Sequence, residues 1–191
     1  MRIIAGLAKG RVLSSVAGAT RPTSDRAREG LFSSLLSEFG DFVGLHVLDL
    51  FAGSGAIGLE ALSRGADIVH AVEKDDSAMK TIKTNSELVG KSGVTGIFHA
   101  YAMSVQKFLE SPTTVSYDIV YVDPPYDFSD ADLYKCLVHL REGKFLHPDA
   151  LIAVERSNRN SAVKWPTGYE AVRERKYGQA SIYYGKLAEN G

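Results

Sequence analysis

The sequence predicts an α/β protein built on a mostly parallel sheet with helices on both faces. Three observations carry that prediction. From residue 45 onward, short apolar runs alternate with helix-like segments. The first of these runs passes through a glycine loop directly into a helix, between Val47 and Gly58. After Pro166 the alternation gives way to two strand-like runs joined by a short turn, the pattern of an antiparallel hairpin.

Taken in order, residues 2–13 read as two short strands around Gly6 and Gly10. This hairpin is basic, has few apolar residues to give to a core, and is expected to be an extension spanning residues 1–20, with 21–191 as the main domain. Thr23 or Ser24 is placed to cap the next helix, and Asp25 suits its positive end. Ala27, Leu31, Leu35 and Phe39 recur at i, i+4 and give that helix a buried face. Arg26 and Arg28 fall off the stripe, toward a ligand or water. Gly30 costs helix stability relative to alanine, which signals crowding nearby or simple drift.

The apolar runs at 45–51, 68–72, 97–102, 119–122 and 151–154 are expected strands, apolar on both faces as in a covered parallel sheet. Helices are expected at 57–64, 76–89, 103–110 and 130–141, the first stopping at Gly65. Val105, Phe108 and Leu109 supply the apolar side of the third, and Leu133, Leu137 and Leu140 that of the fourth. Runs 169–176 and 181–187 form the closing hairpin around Tyr177-Gly178-Gln179-Ala180.

At 191 residues, 45% hydrophobic and 24% charged, the chain suits one domain with a sizeable core. No run approaches the roughly 20 apolar residues of a membrane span, and the N-terminus lacks the apolar core of a secretory signal. The single Cys136 has no intrachain disulfide partner, which fits a cytoplasmic location; among Leu133, Leu137 and Leu140 it reads as a buried thiol. The five histidines show no metal-ligand spacing, so no metal is expected. A net charge of −1 conceals segregation. Residues 1–30 hold six basic against two acidic residues, a net +4, and residues 156–176 hold the same balance. Two basic ends are able to form a phosphate-binding face, or only a solvated surface.

The glycine loop points to a nucleotide-like cofactor without naming it, because Gly53-x-Gly55-x-x-Gly58 with Glu73 also fits a dinucleotide fingerprint. Three acids close strands, namely Asp49, Glu73 and Asp123. Glu73 suits a ribose diol in either case. Asp49 discriminates: next to a pyrophosphate it would be repelled by roughly 4 kcal/mol at an effective dielectric of 20. A ligand carrying an ammonium and a sulfonium would instead be attracted, which favours S-adenosylmethionine. The plain alternative is a carboxylate tied to loop N–H groups.

Asp123-Pro124-Pro125-Tyr126 settles the class of chemistry. Two prolines make a rigid turn that leaves carbonyls free. Asp123 and the Pro124 carbonyl can accept the two N–H groups of an exocyclic amine, and Tyr126 can stack on its base. An aromatic amine is a poor nucleophile, so holding both hydrogens to aim its lone pair is what the reaction needs.

With these motifs the chain resembles the class I S-adenosylmethionine-dependent methyltransferases. More narrowly it resembles the bacterial RsmD family, which methylates N2 of guanine 966 in 16S ribosomal RNA. The likeness runs through Arg2-Ile3-Ile4-Ala5-Gly6 with Lys9-Gly10-Arg11, and Arg21-Pro22-Thr23-Ser24-Asp25-Arg26 with Arg28-Glu29. It continues through Leu48 to Gly55 and Leu59 to Ala66, and on to Asp123–Tyr126.

The resemblance implies a seven-stranded sheet with an antiparallel last strand, and cofactor and target meeting at the fourth strand. It implies that Asp49, Gly53 and Gly55 hold the methionine part and Glu73 the ribose, with Phe51 and Thr23 also at the cofactor. Tyr101 stands where such enzymes place a polar adenine-binding residue, so adenine is expected at the backbone of Ala102 and Met103 or against the Tyr101 ring. Arg2, Lys9, Arg11, Arg21, Arg26 and Arg28 are the expected RNA contacts, joined by the basic stretch 156–176. The expected partner is 16S ribosomal RNA or the small ribosomal subunit, and the expected state a monomer. A DNA adenine-N6 methyltransferase shares the Asp-Pro-Pro-Tyr chemistry, but its usual target-recognition domain does not fit in 191 residues. A non-catalytic nucleic-acid-binding protein would have no need of the intact motif.

Overall fold

The computed structural model describes residues 1–16 and 25–189. Its elements run α1 (Asp25–Phe39), β1 (His46–Leu50), α2 (Ala56–Ser63), β2 (Ile68–Glu73), α3 (Asp76–Gly90), β3 (Ile97–Ala102), α4 (Val105–Glu110), β4 (Tyr117–Val122), α5 (Asp130–Glu142), β5 (Leu146–Ser157), β6 (Tyr169–Tyr177) and β7 (Ala180–Leu187). The seven strands form one sheet in the order β3-β2-β1-β4-β5-β7-β6. Strands β1 to β5 pair in parallel, and β7 runs antiparallel to both β5 and β6.

The order reverses between β1 and β4, and at such a switch point the loops leaving two strands diverge and open a crevice. Leu50 pairs with Val122, so the glycine loop and Asp123 leave the sheet side by side.

Two cores flank the sheet. On one face Leu31, Phe32 and Leu35 of α1, the apolar side of α2, and Val89 of α3 pack with Val47, Val69, Ile119 and Tyr121. On the other, Phe108 and Leu109 of α4 and Leu133, Leu137 and Leu140 of α5 pack with Leu48, Leu50, Val120 and Val122. All eight residues of α2 are buried, its polar Glu60 and Ser63 included. Helices α3 and α5 start on side-chain caps, Asp75 accepting from the Ala78 N–H at 2.8 Å and Ser129 accepting from the Asp132 N–H.

The N-terminal segment differs from expectation. Its hairpin reduces to a single antiparallel bridge, Arg2 to Val12, and its apolar residues do enter the core: Ile3, Ala8 and Leu13 are buried. The buried Glu60 explains the docking, because it accepts from the backbone N–H of Ile4 (2.7 Å) and Ala5 (3.0 Å) and from Arg64 Nε. A buried carboxylate has to be paired, and the segment supplies two of its partners. Strand β5 begins earlier than expected, at Leu146. Its register against β4 jumps from Tyr117–Leu146 to Ile119–Leu151, an irregularity that interrupts the hydrophobic pattern read from sequence.

Candidate active site

The loop after β1 is held in an unusual conformation. Phe51 has φ 63°, a left-handed value that non-glycine residues rarely adopt, and its ring packs edge-on against Phe128 at 5.0 Å. Strain of this kind collects at functional sites. The loop glycines have three separate duties. Gly53 (φ 56°) faces open space and lines a cavity. Gly55 (φ 75°) caps α2 and faces Ile82 and Leu59. A side chain at Gly58 would press into Val69 at 2.9 Å.

Asp49 is placed differently from the expected direct ligand contact. It is buried beneath the loop, off the cavity wall, and accepts the Gly58 N–H at 3.0 Å. Burial pushes its carboxyl up to about 7; the Gly58 hydrogen bond pulls the other way, and the negative charge of Glu73 adds to the rise. Asp49 therefore anchors the first turn of α2, and it acts on the cavity through its field.

Glu73 is on the wall. Its Oε2 accepts from Gly53 N–H (2.9 Å), and Oε1 accepts from the N–H groups of Lys74 and Asp75 (2.8 Å each). The carboxylate is thus fixed at the C-terminal end of β2.

The cavity has a volume of about 660 Å³, within the range of small-molecule sites. Asp123, Pro124, Pro125 and Tyr126 all line it, and the strand order divides the rest of its lining into a first lobe on the β1–β3 side and a second on the β5–β7 side. The first lobe is bounded by Phe51, Gly53, Glu73, Met103, Val105 and Leu109. The second is bounded by Glu155, Arg156 and Ser157 at the end of β5, by Asn160 beyond it, and by Tyr177 and Gln179 at the β6–β7 turn. Tyr126 stands at the mouth, 59% exposed. The first lobe fits an adenine nucleoside with a charged tail: an apolar wall, a carboxylate for a diol, and an open glycine backbone.

The adenine side differs from expectation in one respect. The Tyr101 ring turns into the sheet–helix layer, edge-on to His99 (4.4 Å) and His70 (5.2 Å) and tilted against Phe108 (5.0 Å). It is unavailable for packing on a ligand. Ala102 is exposed and off the wall, while Met103 and the following Ser104 and Gln106 are on it. Cys136 also lines the cavity, but burial, with Asp132 nearby, pushes its thiol up to about 11, so it is no nucleophile at neutral pH.

The expected RNA contacts separate into groups. Arg21 and Thr23 lie outside the described residues. Arg28 is fully buried, donating to the Arg2 carbonyl (2.7 Å) and Asp25 (3.0 Å), and cannot meet a phosphate. Arg156 is likewise buried and paired with Asp130 at 2.7 Å. Lys9 and Arg11 are exposed, but Arg11 bonds Ser92 just past the far end of α3. Helix α3 starts beside Glu73, and its 15 residues put Arg11 about 22 Å below the cavity end. Arg2 and Arg26 are exposed. Near the mouth, the exposed Arg175 and Lys176 immediately precede Tyr177.

The second lobe was the part that sequence reading missed. A signal existed for Glu155: it follows an apolar strand run, the same pattern that marks Asp49, Glu73 and Asp123. Tyr177 and Gln179 carried no such signal, because a hairpin turn reads as a connection.

A family model described as conserved hypothetical protein 95 matches residues 1–186. A ribosomal RNA small subunit methyltransferase D from Escherichia coli strain K12 is 36% identical over 182 residues, 95% of this chain and 87% of its own. The protein of the same name from Haemophilus influenzae is 34% identical over 183 residues, 95% of this chain and 91% of its own. A solved structure from Escherichia coli superposes with a TM-score of 0.82 at 33% identity, covering 99% of both chains.

Proposed function

The chain belongs to the RsmD family, and from that premise we propose that it transfers a methyl group from S-adenosylmethionine to the exocyclic N2 amine of a guanine in 16S ribosomal RNA. The expected target is guanine 966, in the small subunit or an assembly intermediate, and the expected setting is the cytoplasm, with the protein acting as a monomer. The carrying observation is that one cavity joins the Gly53–Glu73 lobe to the Asp123–Tyr126 turn and continues beyond it into a second lobe.

When bound, S-adenosylmethionine supplies an electrophilic methyl group on a positively charged sulfur. The chain does the rest by holding and aiming. Glu73 accepts the ribose hydroxyls, and Phe51, Val105 and Leu109 keep water from the adenine. Asp123 and the Pro124 carbonyl accept the two N2 hydrogens, which turns the nitrogen lone pair toward the methyl carbon. A base flipped out of its RNA stacks on the exposed Tyr126 ring. The new N–C bond forms as the S–C bond breaks, and the surplus proton leaves N2 for Asp123 or water. The products are N2-methylguanine and S-adenosylhomocysteine.

Methyl transfer to small subunits lacking the modification, with the modified nucleotide mapped afterwards, tests this. N2-methylguanine at one position is the expected product; incorporation only into DNA, or only into adenine, overturns it. Asp123→Ala is expected to lose turnover and keep calorimetric affinity for S-adenosylmethionine.

A further inference from the structure

The second lobe contains a carboxylate that the proposed chemistry does not use. Glu155 sits at the C-terminal end of β5, the parallel neighbour of β4, and lines the cavity with Asp123. Register fixes their relation. Tyr121 pairs with Ala153 and Val122 with Val154, the last pair of the ladder, so Asp123 and Glu155 are the next residues on two adjacent strands. Adjacent parallel strands run about 4.8 Å apart. The side is set independently, because the Tyr121 hydroxyl, two residues before Asp123, donates to Glu155 Oε2 from within the core. Glu155 is thus a nearly buried acid, 9% exposed, aimed from beneath by a tyrosine and standing next to the residue that holds the target amine.

Two adjacent carboxylates, both ionised, are acceptors only. They match a base edge that offers two neighbouring donors. Guanine offers N1–H beside its N2 amine; adenine offers its N6 amine beside the N1 lone pair, which an ionised carboxylate repels. We infer that Glu155 determines base specificity by accepting guanine N1–H while Asp123 holds N2, with Tyr121 as the residue that positions it. This deepens the guanine-N2 reading above and rests on it.

The test uses an RNA or small-subunit substrate in which the target guanine is replaced by 2-aminopurine. That base keeps the amine but has a lone pair at N1. A site built around a substrate N–H rejects an analogue lacking it strongly, and the wild-type protein is expected to methylate 2-aminopurine at least about a hundredfold more slowly than guanine. Glu155→Gln, whose amide can donate to N1, is expected to lose guanine turnover and to bring the two bases within about tenfold of each other. S-adenosylmethionine affinity by calorimetry and RNA affinity by filter binding are expected to stay within about twofold, since neither depends on the N1 contact. If Glu155→Gln slows both bases equally, Glu155 only supports the fold or Asp123, and the inference is overturned. Should that variant not fold, Tyr121→Phe removes the aiming hydrogen bond and is expected to shrink the same ratio; an unchanged ratio overturns the inference. A wild-type protein that makes no N2-methylguanine at all sinks the underlying reading instead, and the two failures are distinguishable.

Discussion

Tyr177 occupies the space that a side chain at Gly30 would need. A Cβ built on Gly30 falls 2.2 Å from the Tyr177 hydroxyl oxygen and 2.3 Å from Cε1 and Cζ of its ring. The crowding that a mid-helix glycine signals is therefore real, and its source is a residue 147 positions away that lines the cavity. The pair ties the middle of α1 to the wall of the second lobe.

The pair predicts a reversal of sign. In the wild-type background, Gly30→Ala forces Tyr177 aside and is expected to destabilise by about 1–3 kcal/mol, as overpacking does. With Tyr177→Ala already present the clash is gone, and the same change is expected to stabilise by about 0.5–1 kcal/mol through helix propensity. Urea denaturation of the four proteins measures both. The same sign in both backgrounds would mean that the tyrosine yields at no cost.

Most of the sheet was legible because its strands are apolar on both faces and its helices are separated by clear loops. The first and fourth strand ends were legible because acid, glycine and proline punctuate them. The burial of Ile3 and Leu13 was not, since the segment docks through Glu60 and Ser63, polar partners more than 50 residues away in sequence. Arg28 and Asp49 were misread for one reason. A charged residue near a loop is normally solvated or bound to ligand, and here Arg28 is buried against the Arg2 carbonyl and Asp49 against the Gly58 N–H.

Asp49 predicts a proton linked to cofactor binding. Its folded carboxyl titrates at about 7, above the unfolded value of about 3.9. Its contribution to stability is therefore full below pH 4 or so and lost as pH rises through about 7. A cation bound over the loop favours the ionised form, so binding of S-adenosylmethionine near pH 6.5 is expected to release a proton from Asp49. Calorimetry in buffers of different ionisation enthalpy detects it, and Asp49→Asn is expected to abolish it. Proton release unchanged in the variant would assign it elsewhere.

The arginines predict a split between stability and RNA binding. Arg28→Ala leaves the Arg2 carbonyl without its donor and is expected to cost about 1–3 kcal/mol, with no change in the salt dependence of RNA affinity. Arg26→Ala is expected to leave stability within about 0.5 kcal/mol. Neutralising Arg175 and Lys176 is expected to lower the salt slope by about 2 on a short RNA carrying the target, one unit per phosphate contact. Lys9→Ala with Arg11→Ala is expected to do nothing to that short RNA, because those residues stand at the far end of α3. A slope that responds to Lys9 and Arg11 but not to Arg175 and Lys176 would move the RNA path to the other end of the molecule.

His70 predicts acid sensitivity. Burial lowers its pKa, and the neighbouring His99 and then His46 lower it further. Its Nδ1 is 2.7 Å from the Tyr117 hydroxyl, and Tyr101 and Tyr117 flank the ring. The folded protein therefore keeps the imidazole neutral where the unfolded chain, titrating near 6.5, takes up a proton. The stability at stake is complete above about pH 6.5 and is lost progressively as pH falls below it toward the folded value. Asp49 runs the opposite way across the same interval, so total stability does not isolate the histidine. The difference between wild type and His70→Phe does. The variant is expected to be less stable at pH 7.5 by about 1–2 kcal/mol, because the Tyr117 hydroxyl loses its partner. Its deficit is expected to shrink as the urea midpoint is followed down to pH 5. A deficit that stays constant with pH would show that His70 is protonated alike in the folded and unfolded states.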